Sequence, residues 1–248
     1  MLAATVQPVT SYSKTKVDRA GRVFADQVSR FAEDSDLFND PAVLAQAREA
    51  IAVIEWWRSE HAKPLSRVAA NLRYYVGEAG APVVAQRLKR VPTIAGKLLR
   101  EPRMKLSRMA DIGGVRAILP DQAAAHRVAG RLRRNWTITK VRDYTAEPKE
   151  DGYRALHLIS RNRGRLVEIQ LRTPNQDFWA NLVETLSRTS FPGLKFGQGP
   201  QELREFLFDH AEITAQEDLG LASKEETLER AKARAVEMVN LVYGRDEP

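Results

Sequence analysis

Side chains that could bind a nucleotide concentrate in two neighbouring segments of the sequence. Gly152 and Tyr153 stand in the first. In the second, apolar and polar residues alternate, so that Glu168, Gln170 and Arg172 share one face of a strand. A glycine permits close backbone approach to a ligand, and a neighbouring aromatic ring can stack on a base. A core tyrosine beside an ordinary amphipathic strand would give the same pattern, so these segments indicate a nucleotide cleft without requiring one.

A run of cations precedes these segments. Residues 87–108 hold eight Lys or Arg and a single acid. Arg87 and Lys89 share a strand face, and Thr93 and Lys97 share a helix face, so the four side chains could converge on a triphosphate. A solvated basic surface is the alternative. A P-loop is excluded, because valine stands where its first glycine belongs and leucine replaces its Ser or Thr.

Two carboxylates complete the candidate site. Asp111 precedes a pair of glycines at a predicted helix-to-strand junction, and Glu168 lies on the predicted strand. Carboxylates together with nucleotide phosphates are the usual ligands of Mg²⁺, although an Asp before two glycines is also a common turn residue. The four histidines lack metal-site spacing, and the absence of cysteine excludes disulfides, thiolate metal sites and thiol catalysis.

The elements that must position these side chains predict a mixed α/β domain with helical flanks. Apolar periodicity predicts helices over residues 14–33, 41–60, 64–76, 93–99 and 121–134, and strands over 83–88, 114–119, 137–144, 154–161 and 165–173. Asn162-Arg163-Gly164 predicts a hairpin between the last two strands. After Pro174 the pattern is mostly helical, with breaks at 77–82 and 191–193. We therefore expect an N-terminal helical region (1–80), a core (81–190) and a C-terminal helical extension (191–248).

The composition is that of a globular protein with a basic surface. The formal net charge is +7, which favours polyanionic partners such as nucleotides or RNA, although a solvated basic surface would give the same balance. Residues 1–15 lack a signal-peptide pattern, and no apolar run approaches the ~18 residues of a membrane span. We expect a cytoplasmic protein without a membrane partner.

Five ordered motifs, spanning about 95 residues, resemble the RelA/SpoT synthetase domain. In chain order they are Arg87-x-Lys89-x-x-x-Thr93-Ile94-x-x-Lys97-Leu98, Asp111-Ile112-Gly113-Gly114-Val115-Arg116, Asp143-Tyr144 with Pro148-Lys149, Gly152-Tyr153-Arg154-x-Leu156-His157, and Val167-Glu168-Ile169-Gln170-Leu171-Arg172-Thr173 with Trp179-Ala180.

This resemblance implies an α/β (α+β) fold, in which a mixed, nucleotidyltransferase-like sheet is flanked by helices. It also implies transfer of the β,γ-pyrophosphate of ATP to a ribose 3′-hydroxyl, with Mg²⁺ held by Asp111 and Glu168. Glu168 would also orient or deprotonate the attacking hydroxyl. The residues implied to hold ATP are Arg87, Lys89, Thr93 and Lys97. The residues implied to hold the acceptor are Tyr153, stacked on the base, with Lys149, Arg154, His157, Gln170 and Arg172.

The chain departs from the housekeeping members of that family. The hydrolase domain, with its His-Asp metal site, is missing, so no hydrolase activity is expected. Trp56-Trp57-Arg58-Ser59-Glu60-His61-Ala62-Lys63-Pro64-Leu65 and Met104 to Gly114 are similar to segments of toxic small alarmone synthetases, which modify the 3′-terminal adenosine of tRNA. A helix ending before a proline would also explain the first of these segments.

Three functions remain open at this point. The first is a translation-inhibiting toxin that pyrophosphorylates the tRNA 3′ CCA end and is held in check by an antitoxin. The second is a small alarmone synthetase that uses GDP, GTP or an adenine nucleotide as acceptor. The third is an inactive binding module that retains the fold. The oligomeric state is left open by the sequence.

Overall fold

A computed structural model describes residues 11–78 and 83–243, with side chains to residue 237. Parts of the predicted N-terminal segment (1–15) and of the predicted break at 77–82 lie outside these residues. Within the described residues the α-helices are α1 (Lys14–Glu33), α2 (Pro41–Ser59), α3 (Ala62–Gly77), α4 (Val91–Arg100), α5 (Gln122–Asn135), α6 (Pro174–Thr189), α7 (Gln201–Asp218) and α8 (Glu225–Tyr243). The strands are β1 (Val83–Leu88), β2 (Gly113–Ile118), β3 (Ile138–Asp143), β4 (Leu156–Asn162) and β5 (Arg165–Arg172).

The strands form a mixed five-stranded sheet in the order β1-β2-β5-β4-β3. The end of β1 meets the start of β2, because the Lys89 amide donates to the Ile112 carbonyl at 2.8 Å, so these strands run antiparallel. The Leu119 amide, just past β2, donates to the Arg172 carbonyl at the end of β5 at 2.8 Å, so β2 and β5 run parallel. β3 and β4 pair antiparallel. This confirms the predicted mixed α/β fold.

Local sequence explains where the elements begin. Asp40 accepts from the Ala42 amide and so caps α2, with Pro41 in the first turn. Thr173 and Gln176 form a reciprocal capping box at the start of α6. β4 and β5 are joined by a two-residue turn, Arg163 and Gly164. Both residues have positive φ (47° and 76°), as a type I′ hairpin turn requires.

The described residues divide into two compact units. The described residues of the first lie within the spans Met1–Val68, Gln86–Gly114 and Arg161–Glu168. Its core packs apolar faces of α1, α2 and α4 with the segment before β2, and Ile54, Ile94 and Ile112 are fully buried there. The apolar residues of the N-terminal helices therefore form a core in which α4, a part of the cation-rich segment, is also anchored.

The described residues of the second unit lie within the spans Ala69–Ala85, Val115–Ser160 and Ile169–Pro248. One of its cores packs α6 against α7, around Trp179, Leu203 and Leu207. α8 is joined to α7 partly by ion pairs, because Arg230 and Arg234 both bond Asp209, a carboxylate that is only 3% exposed.

Most predicted elements agree with the structure to within two residues, and the differences have local causes. α4 begins at Val91 rather than 93, because a proline is accommodated in the first turn of a helix. β4 begins at Leu156 rather than 154, because the Arg154 side chain turns toward α7 and donates to the Ala211 carbonyl at 3.3 Å. Each helix of the described part is too short or too polar to span a bilayer. The division into three regions stays a prediction.

A buried histidine in the first unit predicts acid sensitivity. His61 is 1% exposed, its Nδ1 lies 2.7 Å from the Trp57 carbonyl oxygen, and burial lowers its pKa from the ordinary 6.5 to about 4. Below pH 6.5 the unfolded chain binds a proton that the folded chain excludes. The free energy of unfolding should therefore fall by about 2 kcal/mol by pH 5 from this group alone.

Urea unfolding of the wild type and of His61→Gln, at pH 7.5 and pH 5, measures this loss. The variant, which has no imidazole to protonate, should lose correspondingly less stability between the two pH values. An identical pH dependence in both proteins would contradict the prediction.

Candidate functional site

Three of the predicted site residues meet in the first unit. Lys89, just past β1, and Lys97, in α4, both pair with Asp111, which precedes β2. The Lys89 Nζ lies 3.0 Å from one carboxylate oxygen and the Lys97 Nζ lies 3.1 Å from the other. The three side chains are between 17% and 22% exposed, so a solute can reach them. We call them the lysine-aspartate cluster.

The cluster carries a net charge of +1 in a partly desolvated setting. Two ammonium groups share one carboxylate, so one positive charge is left uncompensated within the group, and partial burial strengthens its field. A polyphosphate would offer both lysines new oxygen acceptors and leave the carboxylate oxygens for a cation. The cluster therefore offers cations that suit a polyphosphate and a carboxylate that suits a metal ion, and its role toward either stays a prediction.

The backbone at this cluster is anchored by a residue that the sequence did not single out as a site residue. The Arg58 Nε, in α2, donates to the Lys89 carbonyl at 2.7 Å. The two residues are 31 positions apart, so their sequence spacing could not signal the contact.

The other residues predicted to bind ATP and metal are Arg87, Thr93 and Glu168, and they are not part of the lysine-aspartate cluster. Arg87 is exposed on β1, and Glu168 is partly exposed on β5. The Thr93 hydroxyl donates to the Arg90 carbonyl at 2.8 Å, within the first turn of α4. Their roles toward ATP and metal stay predictions.

A magnesium ion would have to take most of its ligands from substrate and water. Among the described residues, no three His, Cys, Asp or Glu side chains are grouped closely enough to hold a metal ion. Asp111 and Glu168 offer carboxylate oxygens, the ligand type that Mg²⁺ prefers, and this ion commonly keeps several waters and binds substrate phosphates. Each of the two residues thus offers a ligand type that suits Mg²⁺ delivered with a nucleotide, and their joint binding of the ion stays a prediction.

A second group forms in the other unit around Tyr153. The Tyr153 hydroxyl lies 2.7 Å from the His157 Nε2 and accepts from an Arg172 guanidinium nitrogen at 2.9 Å. The same arginine nitrogen donates to the Gln170 Oε1 at 3.0 Å, and another donates to Asp177 at 3.0 Å. These five residues are called the Tyr153 network.

Cations and a second aromatic residue surround the Tyr153 ring. The Lys149 Nζ stands 4.7 Å from its centroid and 5.0 Å from that of Tyr144. The two tyrosine rings meet edge to face, with centroids 5.8 Å apart. A base that stacked here would find an aromatic surface beside a cation, a combination suited to a phosphorylated nucleoside.

Arg154 is engaged by the protein itself. Its guanidinium donates to the Gly152 carbonyl at 3.1 Å and to the Ala211 carbonyl, and it pairs with Glu212 of α7. These bonds tie the segment before β4 to α7. A direct role at the acceptor stays a prediction for this residue.

Three participants in or beside the Tyr153 network were not predicted from the sequence as site residues: Asp177, Arg116 and Tyr144. Asp177 lies in the first turn of α6 and pairs with both Arg116 and Arg172. The one local signal was the capping pattern that begins at Thr173, which places an acidic residue in the first helical turn.

Residues 86–187 match the family model for the region found in RelA/SpoT proteins. Residues 86–187 are thus similar to the RelA/SpoT region. All the residues assigned above to ATP, metal and acceptor lie within that region.

Two curated relatives and one solved structure are similar to this chain. The GTP pyrophosphokinase YjbM of Bacillus subtilis is 35% identical over 116 residues, which is 42% of this chain and 55% of the relative. YwaC of the same organism, also a GTP pyrophosphokinase, is 38% identical over 112 residues, 39% of this chain and 53% of the relative. The chain thus spans about half the length of the curated relatives it matches.

The crystal structure of the small alarmone synthetase 2 from Bacillus subtilis matches the fold with a TM-score of 0.55 and 26% identity, covering 72% of this chain and 98% of that chain. This likeness in fold extends beyond residues 86–187 to most of the chain. The nucleotidyltransferase-like fold expected from the sequence is confirmed.

The turn before Tyr153 has a steric requirement that a substitution can test. Gly152 has φ +88°, and a β-carbon there would lie 2.8 Å from the Ala211 β-carbon. Gly164 also has positive φ, +76°, but a β-carbon there would meet nothing within 4 Å. Gly164→Ala should cost about 1 kcal/mol for backbone strain, and Gly152→Ala about 3 kcal/mol for strain plus overpacking.

Urea unfolding of the two variants beside the wild type measures the difference. Equal losses of unfolding free energy would show that α7 does not pack against the segment before Tyr153 as described.

Proposed function

We propose that this chain is an ATP-dependent pyrophosphokinase that transfers the β,γ-pyrophosphate of ATP to the ribose 3′-hydroxyl of GDP or GTP. The observation that carries the proposal is the lysine-aspartate cluster, which provides two ammonium groups and a carboxylate inside the RelA/SpoT region. Two relatives over that region are GTP pyrophosphokinases. The reaction needs those two chemistries, namely phosphate neutralisation and metal ligation.

On the donor side, Arg87, Lys89, Thr93 and Lys97 would hold the ATP phosphates. Asp111 and Glu168 would hold Mg²⁺, which supplies charge neutralisation at the phosphates when bound. Because little covalent chemistry falls to the protein in phosphoryl transfer, fixing these groups before substrate arrives accounts for most of their effect.

The transfer itself needs a nucleophile and a leaving group. The acceptor 3′-oxygen attacks the β-phosphorus, the bond from that phosphorus to the α,β-bridging oxygen breaks, and AMP leaves. The Glu168 carboxylate would orient the hydroxyl and accept its proton. Tyr153 would stack on the acceptor base, and Lys149, beside that ring, would face the acceptor phosphates. His157, Gln170 and Arg172 complete the acceptor group.

A second acceptor is the 3′ end of tRNA, which would make the protein a translation-inhibiting toxin and call for an antitoxin. Two features favour it. The segment from Trp56 to Leu65 resembles the tRNA-modifying subgroup, and α1 presents four exposed cations, namely Lys14, Lys16, Arg19 and Arg22. An RNA acceptor requires phosphate contacts beyond the catalytic residues, and such cations could supply them.

The reaction is tested by incubating γ-labelled ATP and Mg²⁺ with GDP, GTP or deacylated tRNA. Glu168→Gln and Asp111→Asn should each lower the transfer rate by about 100-fold or more, because they remove a general base and a metal ligand respectively. Glu147→Gln, which changes an exposed carboxylate outside both groups, is the matched control and should retain full activity. If the wild-type protein labels none of the acceptors, the proposed reaction is wrong and the inactive binding module is the remaining hypothesis.

The acceptor is decided by competition and by salt. With GDP and tRNA present together, label should appear in the nucleotide under the main proposal and in tRNA under the second. If tRNA is the acceptor, each of Arg19→Gln and Arg22→Gln should reduce the slope of log affinity against log salt by about 1. Arg133→Gln, an exposed cation of α5, serves as control. Binding of tRNA that is insensitive to salt would contradict the second candidate.

A further inference from the structure

We infer that Asp177 is a positioning residue for the acceptor: it fixes the Tyr153 ring through the buried Arg172. The inference rests on the proposed function, since it assigns Tyr153 to the acceptor base. It adds to the reaction a carboxylate that touches neither substrate, and it gives Arg172 an internal role in place of a direct contact with the acceptor.

The Asp177 carboxylate is buried and fully engaged. Its side chain is 10% exposed, at the start of α6. One oxygen lies 3.0 Å from guanidinium nitrogens of both Arg172 and Arg116, and the other accepts from the Asn181 Nδ2 at 2.9 Å. Removing this charge would leave a buried guanidinium without its counter-ion, which is costly in a low-dielectric setting.

Arg172 transmits that restraint to the aromatic ring. Its side chain is 8% exposed. One nitrogen of its guanidinium bonds Asp177, while another donates both to the Tyr153 hydroxyl and to the Gln170 Oε1. Because a guanidinium is planar and rigid, holding one edge on Asp177 sets the direction of the other edge.

The Tyr153 ring is thereby held at its hydroxyl end from two sides, by Arg172 and by His157. Stacking on a base depends on the plane and height of the ring. A side chain fixed before the substrate arrives avoids the entropy of ordering it on binding. Loosening the ring should weaken acceptor binding selectively and leave the donor side unaffected.

Asp209 provides a matched control for this pair. It is also a buried carboxylate that holds two arginines, Arg230 and Arg234, but these belong to α8 and not to the Tyr153 network. A substitution there reproduces the loss of a buried double ion pair without touching the tyrosine.

The test measures steady-state kinetics with ATP and with the acceptor that the wild type labels. Asp177→Asn should raise the KM for the acceptor about tenfold or more, while the KM for ATP and kcat stay within about twofold. Asp177→Glu should restore part of the acceptor KM, because it returns the charge. Asp209→Asn should lower thermal stability without a selective change in the acceptor KM.

A double-substitution cycle separates positioning from general stability. Tyr153→Phe removes the hydroxyl through which Arg172 acts, so adding Asp177→Asn to it should raise the acceptor KM by much less than Asp177→Asn does alone. Fully additive effects, equal changes in the KM for ATP and for acceptor, or the same kinetic profile from Asp209→Asn would overturn the inference.

Calorimetric titration of GDP and of deacylated tRNA into the wild type and into Asp177→Asn measures acceptor binding without catalysis. It therefore tests the positioning role separately from the proposed reaction. If the wild type binds an acceptor but transfers no label to it, the proposed reaction is wrong. A tenfold loss of acceptor affinity in Asp177→Asn would still support the positioning role in that case. Equal binding by the two proteins, or no binding by the wild type, would overturn the inference.

Discussion

Each of the two groups of candidate site residues is organised by one carboxylate that holds two cations. Asp111 bonds Lys89 and Lys97 in the first unit, and Asp177 bonds Arg116 and Arg172 in the second. Cations removed from water need a nearby counter-charge, because their desolvation is otherwise too costly. A fixed carboxylate satisfies that need and at the same time sets where the donors point.

The fold brings these partners together at the ends of strands. β1 and β2 run antiparallel, so the residue that leaves one strand meets the residue that enters the next, and Lys89 and Asp111 become neighbours across 22 positions. In the second unit, Arg172 ends β5 and Asp177 lies five residues later in the first turn of α6. The capping box at Thr173 starts α6 directly after β5, so the first turn of the helix places Asp177 beside Arg172. The position of the Tyr153 ring is therefore set by its bonds to His157 of β4 and Arg172 of β5 as well as by the turn in which it lies.

Much of the fold was predictable because its signals are local. The alternation in Val167 to Arg172 and the Arg163-Gly164 turn gave the β4-β5 hairpin, and helix caps placed α2 and α6. The site was predictable only in part. Lys89, Lys97 and Asp111 could be selected by charge and motif, but their mutual bonding could not. The restraint of Lys89 by Arg58 and of Tyr153 by Arg172 had no sequence signal, because such contacts join residues that no local period relates.

The sequence by itself determined the secondary-structure elements, the basic character and a set of candidate ligands for phosphate, metal and base, since periodicity, capping and residue chemistry act over a few positions. The tertiary structure decided which of these side chains remain accessible to a substrate and which are used internally. Strict alternation placed Arg172 on the polar face of its strand with Glu168 and Gln170. Packing instead buried it and turned it toward Asp177, because the cost of a buried charge depends on a counter-ion that only the folded chain supplies.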